Sequence, residues 1–150
     1  MSLKIAHIVN PYHSPPESEA YKVQQLSLQA MQEAVKFAAS TVKVQLVTAQ
    51  YTEDHEMIPD GFTCLPNLER SVKDIKSFDG DAKKLPLVQD ILRLLYHHSD
   101  ADYLIFTNID IIPLPHFYTT VAGYIEAGHD ALIINRRRVS GSHLAHGDLN

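Results

Sequence analysis

The chain has 150 residues, 45% of them hydrophobic and 21% charged, a composition that fits one globular domain with a sizeable core. The formal net charge of −5 at pH 7 argues against a dedicated nucleic-acid-binding domain, because such domains carry a basic face. The single cysteine, Cys64, excludes an internal disulfide and is typical of a reducing compartment.

The first half of the chain predicts three strands, each a short apolar run bounded by polar residues. These runs cover residues 4–9, 42–48 and 61–65. The first ends at Asn10-Pro11, and the third contains Cys64, for which we expect a buried, unreactive thiol. After the first strand, Ser18 is a candidate N-cap for a helix over residues 19–40, where apolar side chains recur at three- and four-residue steps.

The second half of the chain predicts two helices and two more strands. Residues 69–83 are charged and weakly patterned, which indicates a loop, and Pro86 suits the first turn of a helix that ends near His98. The continuous apolar run 103–107 predicts a strand that is buried on both faces. A helix over residues 115–127 and a fifth strand over residues 130–135 follow.

Strands that alternate with helices predict βαβ units and therefore an α/β fold with three layers, αβα, around a mostly parallel, Rossmann-like sheet. We expect the strand order 3-2-1-4, with the 103–107 strand beside the first strand. Residues 1–150 are expected to form a single domain, either complete or truncated at its C-terminal end. The apolar run 5–9 is too short for a signal peptide or a membrane span, so we expect no transmembrane segment and a cytoplasmic protein.

Asn108-Ile109-Asp110 directly follows the apolar 103–107 run. Ligands of open α/β sheets bind beyond the carboxyl ends of the strands, and hard oxygen ligands suit Mg²⁺ or Mn²⁺. These residues are therefore a candidate metal site. Asn and Asp are also common where a strand turns into a loop, because their side chains bond to nearby backbone, so a purely structural turn is the alternative.

Asn108-Ile109-Asp110 resembles a variant of the Asp-x-Asp motif of GT-A-type glycosyltransferases. Further points of similarity, which together cover most of residues 4–139, are the first strand ending at Asn10-Pro11, the segment Lys83-Lys84-Leu85-Pro86 before a helix, Phe117-Tyr118, and Asn135-Arg136-Arg137-Arg138.

The resemblance implies a domain that binds a nucleoside-diphosphate sugar through Mn²⁺ or Mg²⁺ and transfers the sugar to an acceptor that the sequence does not identify. Asp110, assisted by Asn108, would hold the cation. Lys84 and one of Arg136 or Arg138 would add positive charge. The loop that starts at Asn10 and Pro11 would face the base and the ribose. No residue is assigned as catalytic base.

Two features depart from the family pattern. Asn108 replaces the first acidic residue, which removes one charge from the metal site, and the chain is shorter than the usual GT-A catalytic domain. Two alternatives therefore stay open. One is a non-catalytic nucleotide-binding or regulatory module. The other is a different metal-dependent α/β enzyme that transfers phosphoryl groups. Under each of these interpretations, a protein partner or a homo-oligomer stays open.

Three further patterns are candidates for a site. The run Arg136-Arg137-Arg138 is either a phosphate-binding segment or a solvated strand end. In a strand, at most two of these three side chains lie on one face. His143-x-x-His146 is a candidate pair of metal ligands, whereas Asp79-Gly80-Asp81 lies in a polar segment and is better explained as a turn. No dinucleotide-binding or P-loop glycine pattern occurs.

Overall fold

A computed structural model describes residues 3–75 and 83–138 of the chain. Its four strands form one parallel sheet, with the order β3-β2-β1-β4. The strands are β1 (Lys4–Val9), β2 (Lys43–Thr48), β3 (Thr63–Cys64) and β4 (Tyr103–Phe106). The order predicted from the sequence is thus confirmed for these four strands.

Three α-helices connect or follow the strands: α1 (Glu19–Ala38), α2 (Val88–His98) and α3 (Phe117–Glu126). Shorter 3₁₀ turns occupy Thr52–Met57 and Val72–Asp74. The predicted N-cap of α1 is confirmed, since the Ser18 hydroxyl accepts a hydrogen bond of 3.1 Å from the Tyr21 amide. Gly128 ends α3 with a φ of 91°, a conformation that glycine adopts without strain.

The helices cover both faces of the sheet, which makes three layers. Helices α1 and α3 pack on one face around Ile5, Leu28 and Tyr118. Helix α2 packs on the other face around Ile8 and Leu95. Strand β1 contributes to both cores, which explains why its sequence is apolar without alternation. The molecule is therefore an α/β, Rossmann-like domain.

Strand β4 differs from its prediction. It pairs only with β1, so within the described residues it is an edge strand, and Leu104 is 42% exposed. The expectation of burial on both faces was wrong, because an apolar run by itself does not distinguish a central strand from an edge strand. The predicted fifth strand was also wrong: residues 131–138 have no regular structure, and Ile133 is 97% exposed.

Cys64 is exposed rather than buried, because β3 is a two-residue strand at the other edge of the sheet. No helix in residues 3–75 and 83–138 has the length and apolar character needed to cross a membrane.

Candidate functional site

The chain order places a topological switch point between β1 and β4. After β1, the chain adds β2 and β3 on one side of the sheet and then returns to add β4 on the other side. Ligands of open parallel sheets bind outside the carboxyl ends of the strands at such a point. Ile8 pairs with Phe106, so Asn10 and Asn108 each lie two residues beyond a paired position at this edge.

The Asn108–Asp110 segment is a turn whose two polar residues are exposed. Ile109, between them, is buried in the core under α1 and α3. The turn continues with a hydrogen bond of 3.2 Å from the Ile111 amide to the Asn108 carbonyl. From α1, the Ser27 hydroxyl donates a hydrogen bond of 2.6 Å to the Ile111 carbonyl, which fixes the loop against the domain. The structure thus presents Asn108 and Asp110 to solvent from an anchored loop.

Arg136 approaches this turn from the end of the described chain. Its guanidinium Nη1 lies 3.5 Å from the Asp110 carboxylate, and the side chains are 53% and 54% exposed. An exposed pair at this distance contributes at most about 1 kcal/mol to folding. Asp110 and Arg136 can therefore each leave this contact and bind another partner at little cost in stability. Arg138 is also exposed and follows two residues later.

A cavity of about 530 Å³ lies between β4, α3 and residues 129–136. Its volume is within the range of small-molecule sites, roughly 300–1,000 Å³. The polar part of its lining is Thr107, Asn108, His129, Asp130 and Arg136. Of the predicted site residues, Asn108 and Arg136 thus line this cavity, whereas Asn10, Pro11, Lys84, Asp110 and Arg138 do not.

Asn10 and Pro11 belong to a fixed loop after β1. The Asn10 carboxamide donates a hydrogen bond of 2.7 Å to the Ala49 carbonyl at the end of β2, and Pro11 is buried. The next residue is clamped by Gln24 of α1, which accepts from the Tyr12 amide at 3.0 Å and donates to the Tyr12 carbonyl at 3.1 Å. The loop therefore forms a rigid wall beside the switch point.

Lys84 contacts residues outside the predicted metal and phosphate site. Its ammonium group pairs with Glu53 and lies 3.9 Å above the centre of the Tyr51 ring. The hydrogen bond from Lys84 lowers the pKa of Glu53. Tyr51 and Glu53 follow β2, so Lys84 lies near the carboxyl end of β2. No ion pair or hydrogen bond joins it to Asp110 in the part of the chain that the structure describes.

A buried network around His7 of β1 was not predicted from the sequence. The imidazole Nδ1 lies 2.8 Å from the Tyr118 hydroxyl, and Nε2 lies 2.8 Å from the Thr107 hydroxyl. Burial lowers the pKa of His7 to about 3 and raises the pKa of Tyr118. The available signal was a histidine in the middle of an apolar strand, since a buried polar side chain requires partners.

Residues 3–75 and 83–138 contain no group of three or more His, Cys, Asp or Glu side chains arranged around one point. The histidine pair His143 and His146 and the aspartates Asp79 and Asp81 lie outside the described residues.

Comparisons of the chain with known protein families, with curated proteins and with solved structures gave no match.

Proposed function

We propose that this chain is the nucleotide-binding part of a GT-A-like glycosyltransferase, which binds a nucleoside-diphosphate sugar through a divalent cation and transfers the sugar to an acceptor. One observation carries the proposal. Asn108 and Asp110 are both exposed on an anchored turn beyond the carboxyl end of β4, beside the switch point of the sheet. This is where parallel α/β sheets bind nucleotides.

The residues present fit Mg²⁺ or Mn²⁺. Such ions are commonly held by one or two protein carboxylates, with substrate phosphates and water as the other ligands, so a cluster of three protein ligands is not required. Asp110 offers a carboxylate, and Asn108 offers a neutral amide oxygen. When bound, the cation would stabilise the negative charge that develops on the departing diphosphate.

Arg136 supports the binding of a diphosphate in this proposal. Its guanidinium matches two phosphate oxygens at once, and its weak contact with Asp110 is readily given up. If Asp110 holds the cation, Arg136 would be available to contact the phosphates. Arg138 is also exposed and follows two residues later, so it is the second candidate for contact with the diphosphate. Lys84 would first have to leave Glu53, so we assign the diphosphate to the arginines.

The Asn10–Pro11 loop supports the binding of the base and ribose. It is fixed by Ala49 and Gln24 before any ligand binds, so little conformational freedom is lost on binding. In this proposal, the pre-formed loop would contact one face of the base.

A non-catalytic nucleotide-binding module is the second candidate. The neutral Asn108 favours it, because the turn then holds one negative charge, and this charge already faces Arg136. A site with less negative charge holds its cation more weakly. The two candidates share the ligand and differ only in whether the sugar is transferred to an acceptor.

Thermal unfolding of the protein with nucleoside diphosphates and nucleotide sugars, each with and without Mn²⁺, tests the proposal. We expect stabilisation that requires Mn²⁺, worth about 2.7 kcal/mol at a ligand concentration 100 times Kd. Asp110→Asn should remove this effect. Asp60→Asn is the matched control, because Asp60 is exposed before the amino end of β3. If nucleotide and Mn²⁺ stabilise Asp110→Asn as much as the wild type, the proposal is contradicted. Release of the diphosphate from the nucleotide sugar would distinguish an enzyme from a non-catalytic binding module.

A further inference from the structure

The buried imidazole of His7 joins three elements of the fold. It lies on β1, and its two nitrogen atoms contact Tyr118 of α3 and Thr107 directly after β4. His7 is 1% exposed and Tyr118 is 0% exposed, so solvent does not reach the contact between them. Thr107 is half-buried and lines the cavity beside Asn108.

The direction of these hydrogen bonds follows from the charge of the ring. Burial keeps His7 neutral at neutral pH. A neutral imidazole carries one N–H donor and one acceptor nitrogen, so one hydrogen bond must run into the ring and the other out of it. Two arrangements satisfy this condition. They differ in which hydroxyl group, that of Tyr118 or that of Thr107, keeps a proton that is not donated to the ring.

In the first arrangement, Nδ1–H donates to Tyr118 and the Thr107 hydroxyl donates to Nε2. The Tyr118 proton then needs another acceptor, and the described residues provide no further hydrogen bond for this hydroxyl. A buried donor without a partner is strongly unfavourable. In the second arrangement, Tyr118 donates to Nδ1, and Nε2–H donates to Thr107. Every buried proton is then used, and the spare proton is on the Thr107 hydroxyl at the cavity.

We infer that the Thr107 hydroxyl is a hydrogen-bond donor directed into the cavity beside Asn108, where it binds an acceptor oxygen of the ligand. His7 and Tyr118 are positioning residues: they fix the direction of the donor without touching the ligand. The identity of the ligand rests on the proposed function, so the oxygen belongs either to the diphosphate or to the sugar. The direction of the network does not depend on that function.

The first measurement is the tautomer of His7 in the ligand-free protein, by ¹⁵N NMR of the imidazole at neutral pH. We expect protonated Nε2 and unprotonated Nδ1. A protonated Nδ1 would overturn the inference, because the Thr107 proton would then be used inside the protein. In Tyr118→Phe the hydrogen bond that selects the tautomer is absent, so we expect a second tautomer to become populated.

The second measurement compares ligand binding by Thr107→Val and Thr107→Ser, using calorimetry with Mn²⁺ and either UDP and UDP-glucose or GDP and GDP-mannose, as the thermal screen selects. Valine matches the shape of threonine without its hydroxyl, so we expect a loss of affinity of about tenfold or more. Serine keeps the hydroxyl and should restore most of the affinity. A loss with the diphosphate alone assigns the acceptor to a phosphate, and a loss only with the nucleotide sugar assigns it to the sugar.

The outcomes separate the inference from the proposed function. If the wild type binds and Thr107→Val binds equally well, the inference fails while the proposed function stands. If the wild type binds none of these probes, the proposed function fails, and the His7 tautomer still decides whether the Thr107 donor is directed into the cavity. Should Thr107→Val not fold, Thr107→Ser and Tyr118→Phe provide the comparison.

Discussion

The carboxylate of Asp110 and the guanidinium of Arg136 lie 3.5 Å apart, although the two residues are 26 positions apart in the chain. Helix α3 lies between them in sequence and returns the chain to the carboxyl end of β4. The acidic group that we propose for a cation and the basic group that we propose for phosphate are therefore neighbours at this exposed turn. Both parts of the proposed site depend on this one juxtaposition.

Arg136→Gln should lower the affinity for a nucleoside diphosphate with Mn²⁺ by about tenfold, because one charge-assisted contact with the phosphates is lost. The melting temperature should change little, since the contact with Asp110 is exposed. Arg137→Gln is the control, because it removes the same charge at the neighbouring exposed residue, whereas the contact with Asp110 is made by Arg136. Equal affinity losses in the two variants would indicate general charge attraction instead of a specific contact.

Asn108→Asp should strengthen Mn²⁺ binding by about tenfold, because it adds a second negative charge to a site of oxygen ligands. Titration of the nucleotide-free protein with Mn²⁺, followed by calorimetry, measures this directly. Asn67→Asp adds the same charge after β3 and serves as the control. If the control strengthens Mn²⁺ binding as much as Asn108→Asp does, net charge alone is responsible, and the turn is not the metal site.

His7 should make the protein less stable in acid. Its pKa is about 3 in the folded protein against an ordinary 6.5, so below pH 6.5 the unfolded chain binds a proton that the folded protein excludes. Stability is therefore fully present above pH 6.5 and falls as the pH decreases, by roughly 2 kcal/mol at pH 5. Urea unfolding at pH 7.5 and pH 5 measures the difference. His7→Gln should lose this part of the pH dependence, whereas the exposed His97→Gln should keep it.

Ser27→Ala should weaken nucleotide binding as well as stability. Its hydroxyl holds the Ile111 carbonyl at 2.6 Å and so anchors the turn that carries Asn108 and Asp110. We expect a stability loss of about 1 kcal/mol and a further loss of affinity, because the turn is no longer pre-organised. Ser18→Ala removes the α1 cap at a similar stability cost of about 1 kcal/mol and should leave affinity unchanged. An equal affinity loss in both variants would show that only overall stability matters.

The layered fold could be predicted because its signals are local. The βαβ units follow from three local signals: apolar runs of strand length, a capped amphipathic helix and short connections. The βαβ units in turn determine the order of the four strands. The position of Asn108 and Asp110 at a strand end followed from the same reasoning. Burial of β4 and a strand over residues 130–135 could not be judged in this way, because each depends on a pairing partner that the local sequence does not specify.

The remaining contacts near the site could not be predicted from the sequence for a different reason. The His7 network joins residues separated by 111 and 100 positions, and the pairing of Lys84 with Glu53 joins residues 31 positions apart. No periodicity or motif encodes such distances. They become visible only once the strand order and the helix packing are known in three dimensions.

The outer edge of β4 has a consequence for handling the protein. Residues Tyr103–Phe106 include no lysine and no proline, and no described residue pairs with their outer backbone groups. Natural sheets protect such edges with charges, prolines or covering segments, because an unpaired edge is a template for another strand. Here residues 129–136 line a cavity beside β4 but form no strand that pairs with it. At high protein concentration we therefore expect folded molecules to associate through the β4 edge before the fold itself is lost. Leu104→Lys is the smallest change that would protect the edge.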